Sequence, residues 1–558
     1  MLRDCGYALK QAGYTIKVLN LDEMWNSNHY NPFIYLKYVH EDTKEVCVNL
    51  TEEQIASRKY KLVDSDVLQI IDSIMKNTNG ESKGGSQDPF WDKAEMLYLQ
   101  SVMYYIVYNY PRHLQNFGSV LDLMRKSQAP EGEKSELDFY FEEWELGQIV
   151  MFKNERGRMQ KQRNWPRNKD GSNPEKSYID QQPLEERANL YEDAEGYVRR
   201  KKWINEFGIP CVAEGTNNVG IKQWKHFKSG VASEKTMASI MLSAASRLAP
   251  FNIPQVANFI NDDDMELQRL GAAEDTPSAP GVESHGGRII WFIVTKPSEQ
   301  TFNFIANMFY TQCFQMIDIV AKKNKGSCPT PVDFYMDEWA QLGEIPRFVE
   351  TLSYVRGLNC GITIGLQSLD QLKNVYKDSW QTAIDDCDFI LYLGSTSKDT
   401  LEYFVTLLGE ETISKRSSSR SYGKSGSTSH SDDVLGRKLV DIQELRTMGA
   451  GKCVFMDMKE TRGAAYFSNL YDLSTHPRYG ELYEPWNAKD VENLKREYRH
   501  GEELTKRNEI LAFNRFYKSL GVDPNFIRFV RETKIVDGDT IPYENDMMSP
   551  EQFQALVA

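Results

Sequence analysis

The chain has 558 residues, 41% hydrophobic and 26% charged, with a formal net charge of −14 and an isoelectric point near 5.3. That is a globular composition with length for two or three domains, which excludes the disordered and fibrous classes. The acidic balance also excludes a uniformly basic nucleic-acid coat, so any residues that meet DNA must be gathered in patches.

Eight cysteines without CxxC spacing, and the lack of any HExxH, point to buried thiols rather than zinc or disulfides. No apolar run approaches the ~20 residues that span a bilayer.

In chain order, Leu2 to Gln11 predicts the last turns of an amphipathic helix, stopped at Gly13, and TIKVLNL at 15–21 predicts a strand. A helix feeding straight into a parallel-type strand implies an earlier strand upstream. Segments 51–56 and 67–75 read as helical, and 77–89 as a linker. From 90 to 261 the pattern is nearly all helical, with long apolar helices at 93–110 and 236–251 and no β run between them. This region carries Lys153, Arg156, Arg158, Lys161, Arg163, Arg167 and Lys169 around Trp165, then a second basic cluster at 199–202. Basic residues beside aromatics can track a phosphate backbone and stack on bases, and they also occur in plain solvated loops. A second linker spans 262–287. The continuous apolar run at 288–295 predicts a strand buried on both faces, followed by a helix at 301–323.

The most informative stretch is VDFYMDEWAQLGEIPRFVETLSYVRGLNCGITIGLQS, residues 332–368. Two apolar runs, Val332 to Met336 and Gly361 to Leu366, end in Asp337-Glu338 and in Gln367-Ser368. In a parallel α/β sheet both tips face the crevice at the carboxyl edge of the strands. An Asp there can hold the water shell of Mg²⁺, a Glu can polarise an attacking water, and a Gln can orient a γ-phosphate. A plain strand-end cap has the same look.

Beyond it, 389–394 reads as a strand and 398–409 as a helix. The serine-rich run 414–433 should be mobile. Lys415, Arg416, Arg420 and Lys424 make it either a DNA-contacting loop in a pore or a flexible insertion. CVFMDM at 453–458 predicts the final central strand, and 486–558 a charged helical tail. No GxxxxGK[ST] phosphate loop occurs in the sequence. Its two imitations are Lys235-Thr236, with Glu234 and Ser229 at the glycine positions, and Gly423-Lys424-Ser425, with Ser418 at the first.

Residues 332–368 resemble the Walker B and Gln motifs of type IV coupling proteins, the TraG/TraD family of conjugative DNA-transfer ATPases. The likeness extends to YNPF at 30–33, DPFWDKAE at 88–95, DQLKNVY at 370–376, CDFILYLGS at 387–395, LLGEETI at 407–413 and YDLSTHPRY at 471–479, and covers most of 1–480. It implies a RecA-like α/β fold, a P-loop NTPase-type parallel sheet with an inserted all-α domain. The implied organisation is a first motor part at 1–88 without its P-loop segment, the all-α insert at 89–275, a second motor part at 285–485, and a C-terminal extension at 486–558.

The implied function is an ATP-driven DNA translocase linking the relaxosome to a type IV secretion channel, with this chain inactive alone for want of its P-loop. ATP and Mg²⁺ would be its cofactors. Single-stranded DNA, relaxase and relaxosome proteins and the channel ATPases would be its partners. The implied assembly is a homo-hexamer at the cytoplasmic face of the bacterial plasma membrane.

By the same resemblance Asp337 binds the metal and cofactor, Glu338 activates water, and Gln367 senses the γ-phosphate. Arg356, eleven residues before Gln367, is an arginine finger acting on the neighbouring subunit. Lys161, Arg163, Lys415, Arg416, Arg420 and Lys424 are the implied nucleic-acid contacts. The family normally begins with membrane-spanning helices and a Gly-rich phosphate loop, so this sequence resembles a coupling protein shortened at its N-terminus. Rival readings are another hexameric translocase of the FtsK type and a non-catalytic docking platform for relaxosome proteins.

Overall fold

Two strands far apart in sequence, Tyr14–Asn20 and Arg288–Val294, pair in parallel, with Tyr14 opposite Arg288 and Asn20 opposite Val294. Parallel neighbours need a crossover, and here everything between them serves as one. A second parallel pair joins Val332–Met336 to Cys360–Ile364. The helix Asn303–Lys323 packs under this lobe, with Phe314 and Phe334 ring centroids 5.1 Å apart. The expected α/β lobe with a largely helical insertion is thus present. The computed structural model describes residues 2–78, 89–130, 132–154, 156–168, 170–231, 233–273, 288–296, 301–420, 428–460, 463–477, 534–536 and 539–541. By contacts the chain divides into residues 10–479 and a smaller unit of residues 1–9 with 480–558. The smaller unit holds most of helix Leu2–Gln11 and a short antiparallel hairpin, Lys534–Val536 with Asp539–Ile541. The expected tail helix at 491–521 and most of both linkers lie outside the described residues.

Two expectations about these strands are corrected. The strand Arg288–Val294 is nowhere fully buried, and Val332–Met336 alternates, with Asp333 and Tyr335 exposed. The inner side chains pack on the core while the other face stays open, so the apolar runs signalled parallel pairing rather than two-sided coverage. Lys452–Asp457 is the final central strand, as expected, although not the last strand in sequence. It lies between Phe389–Tyr392 and a later strand, Ala464–Asn469, antiparallel to both. The serine-rich run, expected to be mobile, contributes to an antiparallel ribbon of two eleven-residue arms, Glu410–Arg420 and Thr428–Lys438. Its register sets Lys415 opposite Asp433 and Arg416 opposite Asp432.

The insertion is built on the helix Pro89–Asn109, which packs on Val219–Gly230. Gly220 permits the approach, since a Cβ there would lie 2.7 Å from both Trp144 and Tyr104. Between 148 and 212, where no β run was expected, the chain forms seven strands of two or three residues. Pieces this short carry no readable alternation.

Two family-like motifs turn out to be structural fasteners. In DPFWDKAE, Asp92 and Glu95 both bind Arg247, and the Arg247–Glu95 pair is buried. In YNPF, the Tyr30 hydroxyl donates to Gln312 at 2.7 Å, and Asn31 Nδ2 donates to the Gln115 carbonyl at 2.9 Å. The Asn31 N–H donates to Asp263 at 3.1 Å, and the Tyr35 hydroxyl donates to the same carboxyl. Burial pushes the Asp263 carboxyl up to about 8. The folded chain therefore keeps a proton that the unfolded chain, titrating near ~3.9, gives up. Stability from this group falls as pH rises from about 4 to about 8. Urea unfolding at pH 5 and pH 8 should show a smaller loss for Asp263→Asn than for the unmodified chain.

Candidate functional site

Met336 stands opposite Ile364, so Asp337 and Gly365 leave the sheet side by side. The ladder runs on past the strand ends. Gly365 N donates to the Met336 carbonyl at 2.9 Å, and Trp339 N to the Gly365 carbonyl at 3.2 Å. By the two-residue period, Asp333, Tyr335 and Asp337 share the open face, and all three are exposed. Facing them are Gly361 and Gly365. A Cβ on Gly361 would come within 2.5 Å of Asp333 Oδ1, and one on Gly365 within 2.8 Å of Asp337 Oδ1.

Glu338 adopts the left-handed conformation, φ 49° and ψ 36°. For a residue with a Cβ this costs about 1–2 kcal/mol. The bend starts the short helical turn Trp339–Leu342. Gln367 Nε2 donates to Glu338 Oε1 at 2.8 Å, and Gln341 Nε2 donates to Oε2. Gln367 is itself held, its N–H donating to Gln371 Oε1 at 3.2 Å. Below this polar layer Trp339, 1% exposed, stacks on Tyr376 with centroids 4.7 Å apart. The Tyr376 hydroxyl accepts the Ile345 N–H at 3.1 Å, and burial raises its pKa.

The donor set suits the magnesium end of a nucleotide site. Mg²⁺ keeps most of its waters and takes one or two carboxylates beside the phosphates, and Asp337 is an exposed carboxylate at a strand tip with room kept free by Gly365. Residues 3–469 match the family described as type IV secretory system conjugative DNA transfer. The chain belongs to that family. Among solved structures it is similar to the bacterial conjugative coupling protein TrwBdeltaN70 in an unbound monoclinic form, at 13% identity and TM-score 0.42, covering 84% of this chain and 80% of that one. It is also similar to TrwB in complex with ADP and Mg²⁺, at 12% identity and TM-score 0.41, with the same coverage. No curated protein sequence matches the chain.

In this member of the conjugative DNA transfer family, Asp337, Glu338 and Gln367 meet at one strand edge. Arg356 does not join them. It precedes the strand that Gln367 follows, so five residues of extended chain, about 16 Å, separate the two ends, and it pairs with Asp388 at 2.8 Å. Lys161 and Arg163 lie elsewhere, over the Tyr197 ring at 5.5 Å and 4.6 Å. Lys415, Arg416 and Arg420 lie on one arm of the long ribbon, and Lys424 is outside the described residues. Lys235 and Thr236 sit in the first turn of the helix Glu234–Arg247, whose Thr236 N–H is capped by Ser233. Sequence reasoning missed Gln341, Gln371 and Gly365. Their signal was the spacing, since Gln341 lies three residues after Glu338 and Gln371 four after Gln367, within reach along a helical turn.

Gly365→Ala should push Asp337 aside, at a cost of about 1–3 kcal/mol. Hydrogen exchange at the Glu338 and Trp339 amides, which donate to Asp337 Oδ1 and the Gly365 carbonyl, should speed up.

Proposed function

We propose that the chain is the ATP-hydrolysing motor of conjugative DNA transfer, drawing single-stranded DNA with its attached relaxase from the relaxosome toward the secretion channel. The observation that carries this is the 2.8 Å bond between Glu338 and Gln367 on adjoining parallel strand tips, with Asp337 alongside. Asp337 would hold the hydration shell of Mg²⁺, which supplies charge neutralisation at the phosphates when bound. Glu338 would take the proton of the attacking water, and Gln367 would register the γ-phosphate. Arg356, at the opposite end of its strand, would serve a neighbouring subunit's nucleotide in a homo-hexamer. The family is membrane-associated, and the cytoplasmic face of the bacterial plasma membrane is the place this function requires. Among the described residues no helix is long and apolar enough to cross a membrane. In a fusion that supplies a phosphate-loop segment ahead of this chain, Glu338→Gln should cut DNA-stimulated ATP hydrolysis by at least about 100-fold while leaving nucleotide binding intact. Equal rates in both proteins would favour the docking platform instead.

The DNA-holding surface in this reading is the ribbon of Met151–Lys153 and Met159–Lys161, in which every strand residue is exposed. From 151 to 169 seven Lys and Arg stand against one Glu, in a chain of net charge −14. Elsewhere in the insertion several cations are matched by acids, as in Arg199–Glu142, Lys225–Glu145 and Lys228–Asp138. Exposed Phe152 and Trp165 offer stacking faces beside the ribbon's charges. Charge reversal at Lys153, Arg158 and Lys161 should weaken single-stranded DNA binding and flatten its salt dependence, by roughly 0.7 in log–log slope per lost phosphate contact.

A further inference from the structure

Glu338 is gripped from two sides, and the nucleotide reading accounts for only one of them. Gln367, the γ-phosphate sensor of that reading, holds Oε1 from the neighbouring strand tip. Gln341 holds Oε2 from the turn that Glu338 itself begins. The two holders differ in their footing. Gln367 is exposed and lies past the end of its strand, its amide oxygen accepting from Gln371 Nε2 at 3.4 Å, so it turns toward a phosphate by releasing surface bonds alone. Gln341 is partly buried in a turn whose first residue, Trp339, is locked between Tyr376 and Phe348, with centroids 4.7 Å and 4.5 Å away. A carboxylate oxygen has two acceptor sites, so one amide on each oxygen still leaves places for a water.

We propose that Gln341 is a positioning residue of the hydrolytic site. It fixes the plane of the Glu338 carboxylate independently of Gln367, so the base keeps its aim when the sensor lets go. This rests on the hydrolysis reading above. The amide must donate, so a side chain of the same shape that cannot donate does not replace it. Holding the base matters because a misplacement of about 1 Å is enough to cost two orders of magnitude in rate.

The first test needs no nucleotide. In the ligand-free chain labelled with ¹⁵N-glutamine, the Gln341 side-chain amide NMR signal should move in Glu338→Ala and stay in place in Gln367→Ala. A Gln341 signal indifferent to Glu338→Ala, or one that collapses with Gln367→Ala, would overturn the assignment. The second test is kinetic. In the same phosphate-loop fusion, Gln341→Ala and Gln341→Glu should each lower kcat for DNA-stimulated ATP hydrolysis at least about tenfold, with KM for ATP within about twofold and the unfolding midpoint of Gln341→Glu unchanged. A kcat that survives in Gln341→Glu would reduce Gln341 to a space-filling role. If the phosphate-loop fusion with Gln341 intact hydrolyses no ATP, the motor reading fails and the positioning role with it, while the NMR result still reports separately whether the Gln341–Glu338 bond exists.

Discussion

The stacking of Trp339 on Tyr376 is the contact on which the site depends. Trp339 follows the acid pair, and Tyr376 ends the helix Leu369–Tyr376 that follows Gln367. Pressing the two rings together fixes the segments leaving two neighbouring strands, so the groups above them face each other without a shared backbone. Stacked aromatics are worth about 0.5–1.5 kcal/mol beyond their buried area, which is of the same order as the left-handed strain at Glu338. Phe348 and the Ile345 N–H close the remaining sides of this small apolar anchor. The strain at Glu338 persists because its surroundings leave it no alternative.

The second constraint is the glycine shelf. Positions 361 and 365 are glycine where the neighbouring strand sends out Asp333 and Asp337. A carboxylate that has to meet solvent needs space on its flank, and a neighbour without a side chain provides it. One strand thus supplies charge and the next supplies room, an asymmetry between two strands that look alike as apolar runs.

Much of this was legible in the residues. Asp337, Glu338 and Gln367 could be placed together because parallel strands bring their carboxyl ends to one edge, and the runs before them are too short for helices. Gln341 was marked only by its spacing from Glu338, because its aim depends on a left-handed turn that no propensity announces. The short strands between 148 and 212 were hidden for want of length. The long ribbon was misread because serine-rich composition suggests disorder, while the register that brings 410–420 against 428–438 exists only in the fold. The open face of the sheet was missed because an apolar run says that a strand pairs, not how many layers cover it.

The parallel union of Tyr14–Asn20 with Arg288–Val294 also has a bearing on biogenesis. At ribosomal speeds of ~5–20 residues per second, the earlier strand emerges roughly 15 to 50 s before its mate exists. During that interval it has an unpaired edge, a known hazard for aggregation. The helical insertion, built from contacts closer in sequence, has time to fold first and can hold its two flanks near each other. The insertion would then act as a scaffold during synthesis, drawing together the halves of a sheet that could not close until its last strand had left the exit tunnel.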